Sequence, residues 1–340
     1  MNKILGCLLG SAVGDAMGAA TEMRNRQQIE EFFGGYVREF YEPPQDTFAR
    51  GNKAGQVTDD FSLAYDTAWT IVDNNGRIDE NIAKEALLRW ARPDNYFNRF
   101  MGPTTKASIA KLRGVEGVDI NVEGFVVCND NFKATNGSAM KIAPVALFSK
   151  GNIDKAINDA IIIAAASHPN NISLSAAAAV AAATSKALND NVSLMDILEA
   201  GLYGARVGDK VGRENYKTLA GPSVEKRMKL AIEIGLTADN LSEAIDKIAD
   251  IIGSGLLAAE AIPCVFGLIA ASKGDALEAI YAGVNVGYDT DTVATMIGGI
   301  MGAYKGYEAF DEETLKTIEE VNEYSLVKLS EEIKKIVEND

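Results

Sequence analysis

Residues 6–18, with the sequence GCLLGSAVGDAMG, carry a glycine at every fourth position. The glycines are Gly6, Gly10, Gly14 and Gly18. On a helix they would lie on one side and form a bare stripe against which a second helix can pack closely. Each glycine weakens a helix by roughly 1 kcal/mol, so four of them need a reason. Tight core packing is one reason, and bringing Asp15 close to a functional site is another that is compatible with it.

Helical periodicity extends along most of the chain and predicts an all-α fold in one domain spanning residues 1–340. The most regular amphipathic segments are residues 78–91, with Asp79 as the predicted N-cap, and residues 224–234, 241–252 and 315–337. Apolar, alanine-rich segments at residues 4–20, 173–187 and 253–271 are predicted to be buried helices. Residues 4–20 are few for a membrane span and include Asp15, so we expect no membrane helix.

Alternating strand patterns are rare. The best candidates are two short segments, residues 37–41 and residues 124–128. Irregular loops are predicted at about residues 41–55, 92–103 and 113–134. We find no Gly/Ser-rich or Pro-rich linker and no repeat that would divide the chain.

The composition is that of a globular protein with a strongly acidic balance. Of the 340 residues, 47% are hydrophobic, and 33 basic against 48 acidic residues give a net charge of −15. Such a charge repels a phosphate backbone and argues against nucleic-acid binding over a broad surface. Three distant cysteines provide neither a disulfide framework nor a zinc spacing, which favours a reducing cytoplasm. The single histidine, His168, excludes multi-histidine metal sites, and nothing in the sequence sets an oligomeric state.

Two acidic motifs lie far apart in the chain, each after a glycine-containing loop and before an apolar segment. They are Thr58-Asp59-Asp60 and Asp289-Thr290-Asp291-Thr292. A helix N-cap explains one acid of each motif, but neighbouring acids exceed what a cap needs and repel each other without a cation. Carboxylate and hydroxyl oxygens suit magnesium or manganese better than zinc. The two motifs therefore predict one shared divalent-metal site, which a second ion would make binuclear.

The order of these motifs resembles that of the ADP-ribosylglycohydrolase family. The resemblance covers nearly the whole chain and rests on six blocks that follow one another as they do in the family. The blocks are residues 6–18 followed by Glu22, Thr58-Asp59-Asp60, Asn136-Gly137-Ser138-Ala139-Met140-Lys141, Ser167-His168, Glu260-Ala261-Ile262-Pro263, and Gly287-Tyr288-Asp289-Thr290-Asp291-Thr292.

The resemblance implies a compact, orthogonal all-α domain with two divalent ions, Mg²⁺ or Mn²⁺, in a cleft. It also implies hydrolysis of the C1'' glycosidic bond that joins ADP-ribose to a protein side chain or a small acceptor. The metal ligands carried over from the family are Thr58, Asp59, Asp60, Asp289, Asp291 and Thr292. Glu22 and Asp60 are carried over as catalytic residues, either of which would accept a proton from the attacking water. The residues carried over to the substrate pocket are Gly102, Asn136, Gly137 and His168.

The chain also departs from the family pattern beside the site. Tyr288 stands where a glycine is usual, and we expect its ring to narrow the substrate pocket. Lys141 replaces a common arginine, Phe61 replaces a common threonine, and residues 133–135 replace substrate-contacting Ser or Tyr groups of some members. No metal ligand is lost, so these differences bear on the substrate more than on catalysis.

Three other functions match parts of the pattern. A hydrolase of a smaller ribosyl compound, such as a nucleoside, would use the same metal site. An isoprenoid-synthase-like enzyme is also all-α with two acidic magnesium motifs, but Asp59, Asp60 and Asp66 imitate its motif poorly and the glycine-rich block has no role there. A non-enzymatic, crystallin-like member of the family would have no reason to keep all six ligands.

Overall fold

The structure, a computed structural model, describes residues 2–92, 99–100, 102–115 and 130–339. Within these residues every regular element is a helix, as the sequence predicts. The α-helices are α1 (Lys3–Thr21), α2 (Arg26–Phe33), α3 (Asp59–Asp73), α4 (Glu80–Trp90), α5 (Pro103–Leu112), α6 (Ala143–Ala146), α7 (Ile153–Ala165), α8 (Asn171–Ala187), α9 (Leu194–Asn215), α10 (Val224–Thr237), α11 (Leu241–Ile251), α12 (Ala258–Ala271), α13 (Ala276–Asn285), α14 (Thr290–Lys305), α15 (Glu312–Asn322) and α16 (Leu326–Asn339). Short 3-10 helices are Asp130–Lys133, Asn136–Ser138, Leu147–Ser149 and Tyr307–Ala309.

Helices α1 and α14 form the centre of the fold, running antiparallel with two rows of small residues face to face. Gly6 lies against Gly302, and Gly10 lies against Gly298. A Cβ atom on Gly10 would collide with the backbone carbonyl of Gly298, and a Cβ atom on Gly298 would collide with that of Gly10. The glycine stripe therefore serves the close helix packing that the sequence predicts.

Helix α1 is long and apolar enough to cross a membrane by length and composition alone. In the structure its residues from Leu5 to Thr21 are buried. Its apolar surface is therefore covered by the protein itself, in agreement with the buried helix predicted for residues 4–20. Helices α8 and α12, the other two alanine-rich segments, are buried over most of their length as well.

The main hydrophobic cluster takes side chains from Leu5 in α1 to Ile333 in α16, so helices from both ends of the chain share it. A smaller cluster lies between α3, α4 and α5 and includes Leu63, Trp90 and Ile109. Trp90 Nε1 donates a hydrogen bond of 2.9 Å to Ser62 Oγ, so the indole N–H has a partner although the ring is buried. These two clusters hold the helix that carries Asp59 and Asp60 against the rest of the molecule.

The helix predicted over residues 315–337 is wrong in one respect, because the structure forms two helices there. Helix α15 ends at Asn322, and Glu323 adopts a left-handed conformation with φ 56° before α16 begins. A distant contact lies at this break. Asn322 Oδ1 accepts a hydrogen bond of 3.0 Å from Val57 N, and Asn322 Nδ2 donates one of 2.9 Å to Gly55 O. The break therefore ties the loop that leads to Thr58.

The strand predicted at residues 37–41 is also wrong. This segment is irregular, and a side chain satisfies the backbone of Val37 where a strand partner would otherwise do so. Asn285 Oδ1 accepts from Val37 N and Asn285 Nδ2 donates to Val37 O, both at 2.9 Å. The other candidate, residues 124–128, lies outside the described residues. In the apolar segment 253–271 the helix begins only at Ala258.

Candidate metal centre

Asp15, in the middle of α1, determines where α3 begins. One of its carboxylate oxygens accepts hydrogen bonds from Thr58 N at 3.0 Å and Thr58 Oγ1 at 2.8 Å. The other accepts from Phe61 N at 2.8 Å. These backbone N–H groups belong to the first turn of α3, which has no intrahelical acceptor for them. Asp15 thus acts as a cap from another helix and holds Asp59 and Asp60 over α1.

The second motif is held beside the end of α1 by a short backbone pairing. Met23 N donates to Tyr288 O and Tyr288 N donates to Arg24 O, both at 2.8 Å. Gly287 is required here, because its φ is +94° and a Cβ atom would lie 2.7 Å from Arg24 O. Asp289 follows at the N-cap position of α14, and it accepts a hydrogen bond from Asn136 Nδ2 instead of capping the helix.

The carboxyl groups of the two motifs meet with those of α1. Oxygen atoms of Asp15, Asp60 and Asp291 lie within 4.8 Å of one another, and so do those of Glu22, Asp289 and Asp291. Asp291 belongs to both groups. All five side chains are buried, with at most 6% of their surface exposed. They lie below a cavity of about 420 Å³ that opens beside Gly102, Asn136 and Gly137.

Burial and mutual repulsion raise the pKa values of these acids. Burial raises the pKa of Asp15 to about 7, against the hydrogen bonds from Phe61 and Thr58. Burial, followed by the charges of Asp289 and Asp59, raises the pKa of Glu22 to about 8. Burial and the charge of Asp15 raise the pKa of Asp59 to about 8. The pKa values of Asp60 and Asp291 lie well above their usual range for the same reasons. In the described part of the chain, no lysine or arginine contributes to these shifts.

The site fits hard divalent cations. Asp60 Oδ1 is buried, and no atom of the described residues donates a hydrogen bond to it. An unpartnered carboxylate oxygen among other carboxylates is unfavourable unless a cation completes the site. The donor set consists of carboxylate and hydroxyl oxygens, which Mg²⁺ and Mn²⁺ prefer. Asp291 belongs to both groups of acids and therefore links them.

The structure brings most of the predicted metal ligands together. Asp59, Asp60, Asp289, Asp291 and Thr292 line the cavity. Thr58 lies behind them, where its hydroxyl donates to Asp15. Asp15 belongs to the site but was not assigned to it from the sequence, although the glycine stripe raised that option. An acid beside the glycine stripe of an otherwise apolar helix was the signal.

The predicted substrate residues are placed less uniformly. Gly102, Asn136 and Gly137 line the cavity. His168 is 1% exposed and borders a neighbouring cavity of about 630 Å³, while its Nε2 atom lies 2.8 Å from Thr135 Oγ1. Thr135 itself lines the acidic cavity, and the sequence interpretation did not assign it.

Tyr288 is 45% exposed and packs beside Gly255, where an added Cβ atom would lie 2.5 Å from the Tyr288 ring. Its side chain is not among the described residues that line the acidic cavity. An apolar wall that the sequence did not predict includes Phe48, Phe100 and Leu256.

Comparison with known proteins links this arrangement to a family. Residues 1–339 match the family model described as ADP-ribosylglycohydrolase. The chain is 28% identical to YegU of Escherichia coli (strain K12), over 94% of this chain and 93% of YegU. It is 24% identical to the ADP-ribosylarginine hydrolase Tri1 of Pseudomonas putida (strain GB-1), over 94% of this chain and 74% of Tri1. A solved structure described as an ADP-ribosylglycohydrolase-related protein complex shares the fold, with a TM-score of 0.69 at 20% identity, and the match covers 99% of this chain and 98% of that one.

Proposed function

Because the chain belongs to the ADP-ribosylglycohydrolase family and is a glycosidase, we propose that it hydrolyses, with divalent metal, the C1'' bond between ADP-ribose and a protein side chain or small acceptor. The observation that carries this proposal is the convergence of buried carboxylates from α1, α3 and α14 below one cavity. Such a convergence is unfavourable in a protein that has no cation to place there. The relationship to Tri1 supports ADP-ribose as the group that is released when the bond is hydrolysed.

The proposed ion-binding residues are the carboxylates that the fold brings together. Asp60 and Asp291 would hold one ion beside Asp15, and Asp289 and Asp291 would hold a second beside Glu22. Asp59 and Thr292 line the same cavity and would complete the oxygen ligands. When bound, divalent ions would polarise ribose oxygens and lower the pKa of water in the cavity.

The residues around the ions have separate tasks in this proposal. Glu22 lies at the end of α1 beside the proposed ion-binding carboxylates, and bound cations would keep it ionised so that it can accept a proton from the attacking water. The cavity is acidic, so it favours the positive charge that develops on the ribose as the glycosidic bond breaks. Asn136 holds the carboxylate of Asp289 in place through its amide.

The proposal is tested by following released ADP-ribose by chromatography. The substrates are peptides ADP-ribosylated on arginine or on serine, with a purine nucleoside as the small ribosyl compound. Each is incubated with chelator-treated protein, with and without millimolar Mg²⁺ or Mn²⁺. We expect metal-dependent release of ADP-ribose from at least one peptide and none from an Asp291→Asn variant. Cleavage of the nucleoside alone would support the smaller-substrate alternative, and turnover that persists in chelator would contradict the metal dependence.

A further inference from the structure

A chain of polar side chains connects the buried Lys141 to the wall of the acidic cavity. Lys141 Nζ donates to Gly137 O at 3.2 Å and to Ser167 Oγ at 3.0 Å. Ser167 Oγ lies 2.8 Å from His168 Nδ1, and His168 Nε2 lies 2.8 Å from Thr135 Oγ1. Lys141 and His168 are each 1% exposed. The proposed metal ligands make none of these contacts, so this series of hydrogen bonds is separate from the metal centre.

The direction of the hydrogen bonds follows from counting donors and acceptors. Burial lowers the pKa of Lys141 to about 8, so at pH 7 the side chain is mainly an ammonium. An ammonium only donates, so Ser167 Oγ accepts from Lys141 and keeps one hydrogen to give. Its other nearby acceptor, Ala164 O, is 3.5 Å away and already accepts from Ser167 N and His168 N. A carbonyl oxygen has two lone pairs, so Ala164 O has no capacity for a third donor. The hydrogen of Ser167 therefore goes to His168 Nδ1.

The same counting sets the state of the histidine. Burial and the charge of Lys141 hold the pKa of His168 well below its ordinary value, so the ring is neutral and carries one hydrogen. With Nδ1 accepting, that hydrogen is on Nε2 and is donated to Thr135 Oγ1. Rotating the ring by half a turn would place carbon atoms against both oxygens, which excludes the reverse orientation.

Thr135 is the last residue of this series of hydrogen bonds, and its hydroxyl hydrogen is not used within the series. Its backbone is fixed, because Asn136 N donates to Leu256 O and Ala258 N donates to Ala134 O, both at 2.9 Å. The hydroxyl lies on the cavity wall beside Gly137, whose missing side chain leaves space for a ligand. Among the described residues His168 is its hydrogen-bond partner. The remaining O–H is therefore available to a ligand in the cavity.

We propose that Lys141, Ser167 and His168 act as positioning residues that hold Thr135 as a hydrogen-bond donor to an acceptor oxygen of the bound ligand. The oxygen would be a phosphoryl or hydroxyl oxygen of an ADP-ribosyl compound, and this half of the proposal rests on the proposed function. The direction of the hydrogen bonds does not rest on it. The reverse direction would present only lone pairs of Thr135 to the cavity, which would repel a phosphoryl oxygen and would require a ligand hydroxyl to act as the donor.

The direction is measured by nitrogen NMR of the ligand-free protein, labelled with ¹⁵N-histidine and carrying no histidine tag. His168 is the only histidine, so its ring signals need no assignment. We expect a protonated Nε2 and an unprotonated Nδ1 at pH 7. Ser167→Ala and Lys141→Met should both admit the other tautomer, whereas Ser167→Thr and Lys141→Arg keep a hydroxyl and a cationic donor and should retain Nε2–H. A wild-type spectrum with Nδ1 protonated would overturn the proposal, and an unchanged spectrum in Lys141→Met would remove Lys141 from it.

The role of Thr135 is measured by ADP-ribose binding and by steady-state kinetics. Thr135→Val removes the hydroxyl at nearly constant shape, and we expect Kd and KM to rise by about ten-fold while kcat changes little. Thr135→Ser keeps the hydroxyl and should recover most of the affinity. Equal affinity of Thr135→Val and wild type would overturn the donor role. If no ADP-ribosyl compound binds the wild type, the proposed function fails. The tautomer of His168 still decides the direction of the hydrogen bonds from Lys141 to Thr135.

Discussion

Asp291 is the residue on which the candidate site depends most, because it belongs to both groups of carboxylates. Burial and the charges of Glu22 and Asp60 raise its pKa well above the usual range. The same surroundings that make the carboxylate unfavourable alone make it a strong ligand once a cation is present. The instability of the Asp291 carboxylate without a cation and its strength as a ligand therefore have one electrostatic cause.

Replacing Asp291 by asparagine removes this charge at almost constant size. We expect hydrolysis to fall by about 100-fold or more, because the ions lose a shared ligand. We also expect the metal-free variant to melt no lower than the metal-free wild type at pH 8, since a buried like charge is gone. Activity and melting curves measure the two effects. Asp190→Asn, at a side chain that is 94% exposed, is the matched control. A strongly destabilised metal-free variant would show that Asp291 has a structural role that this site does not explain.

Glu22→Gln separates proton transfer from metal binding. If Glu22 accepts the proton of water, kcat should fall by roughly 100-fold with KM little changed, which is within the range for loss of a general base. The rise in melting temperature on adding Mg²⁺ should remain, because Asp289 and Asp291 stay in place. Loss of that rise would instead identify Glu22 as a metal ligand.

At the level of helices, the contact between α1 and α14 serves stability at one end and the site at the other. Gly6 lies against Gly302, far from the acids, whereas a Cβ atom on Gly18 would collide with the backbone of Asp291. Backbone atoms cannot move aside as the end of a flexible side chain can. A methyl group at either position must therefore push the helices apart, but only at Gly18 does this displace Asp291, a residue of the proposed metal site.

Gly6→Ala and Gly18→Ala test this division. Both should lower the free energy of unfolding by about 2 kcal/mol through overpacking. Only Gly18→Ala should also weaken Mg²⁺-dependent stabilisation and hydrolysis, because it displaces the start of α14. Chemical denaturation and kinetics of the two variants give the comparison. Equal activities in two equally destabilised variants would contradict the role assigned to the Gly18 end.

At the scale of the whole molecule, folding brings together acids from distant parts of the chain. Unfolded, they ionise near their ordinary pKa of about 4. Folded, the pKa values of Asp15, Glu22 and Asp59 are about 7, 8 and 8. The folded metal-free protein therefore binds more protons than the unfolded chain in this range. Its free energy of unfolding should fall as the pH rises through about 4 to 8.

Melting curves of chelator-treated protein at pH 5.5 and pH 8.5 measure this dependence. We expect the lower melting temperature at pH 8.5. Mg²⁺ or Mn²⁺ binds only the folded arrangement, so at 100 times its Kd it should add about 2.7 kcal/mol, or several degrees for a protein of this size. At one fixed Mg²⁺ concentration the rise should be larger at pH 8.5 than at pH 5.5, because the carboxylates must be ionised to bind and Kd is therefore lower at pH 8.5. Sodium chloride at equal ionic strength is the control. A rise of the same size with sodium would show that the stabilisation comes from charge screening and not from metal binding.

The helical class and the position of most helices follow from local patterns. Periodicity, the Asp79 N-cap and the glycine stripe depend on neighbours within a few residues, and the structure confirms them. The two acidic motifs at helix starts are local patterns too. Their matching contexts predicted one shared site, and Asp59, Asp60, Asp289 and Asp291 do line one cavity.

The break at Asn322, the capping of α3 by Asp15 and the position of Tyr288 depend on residues far away in sequence. Asn322 bonds to Gly55 and Val57, and Asp15 bonds to Thr58 and Phe61, so neither role can be seen in its own segment. The helix pattern continues through Asn322 because side-chain periodicity carries no information about a partner loop. A hydrogen bond between distant segments exists only once packing has placed donor and acceptor within reach, and that placement depends on the whole core.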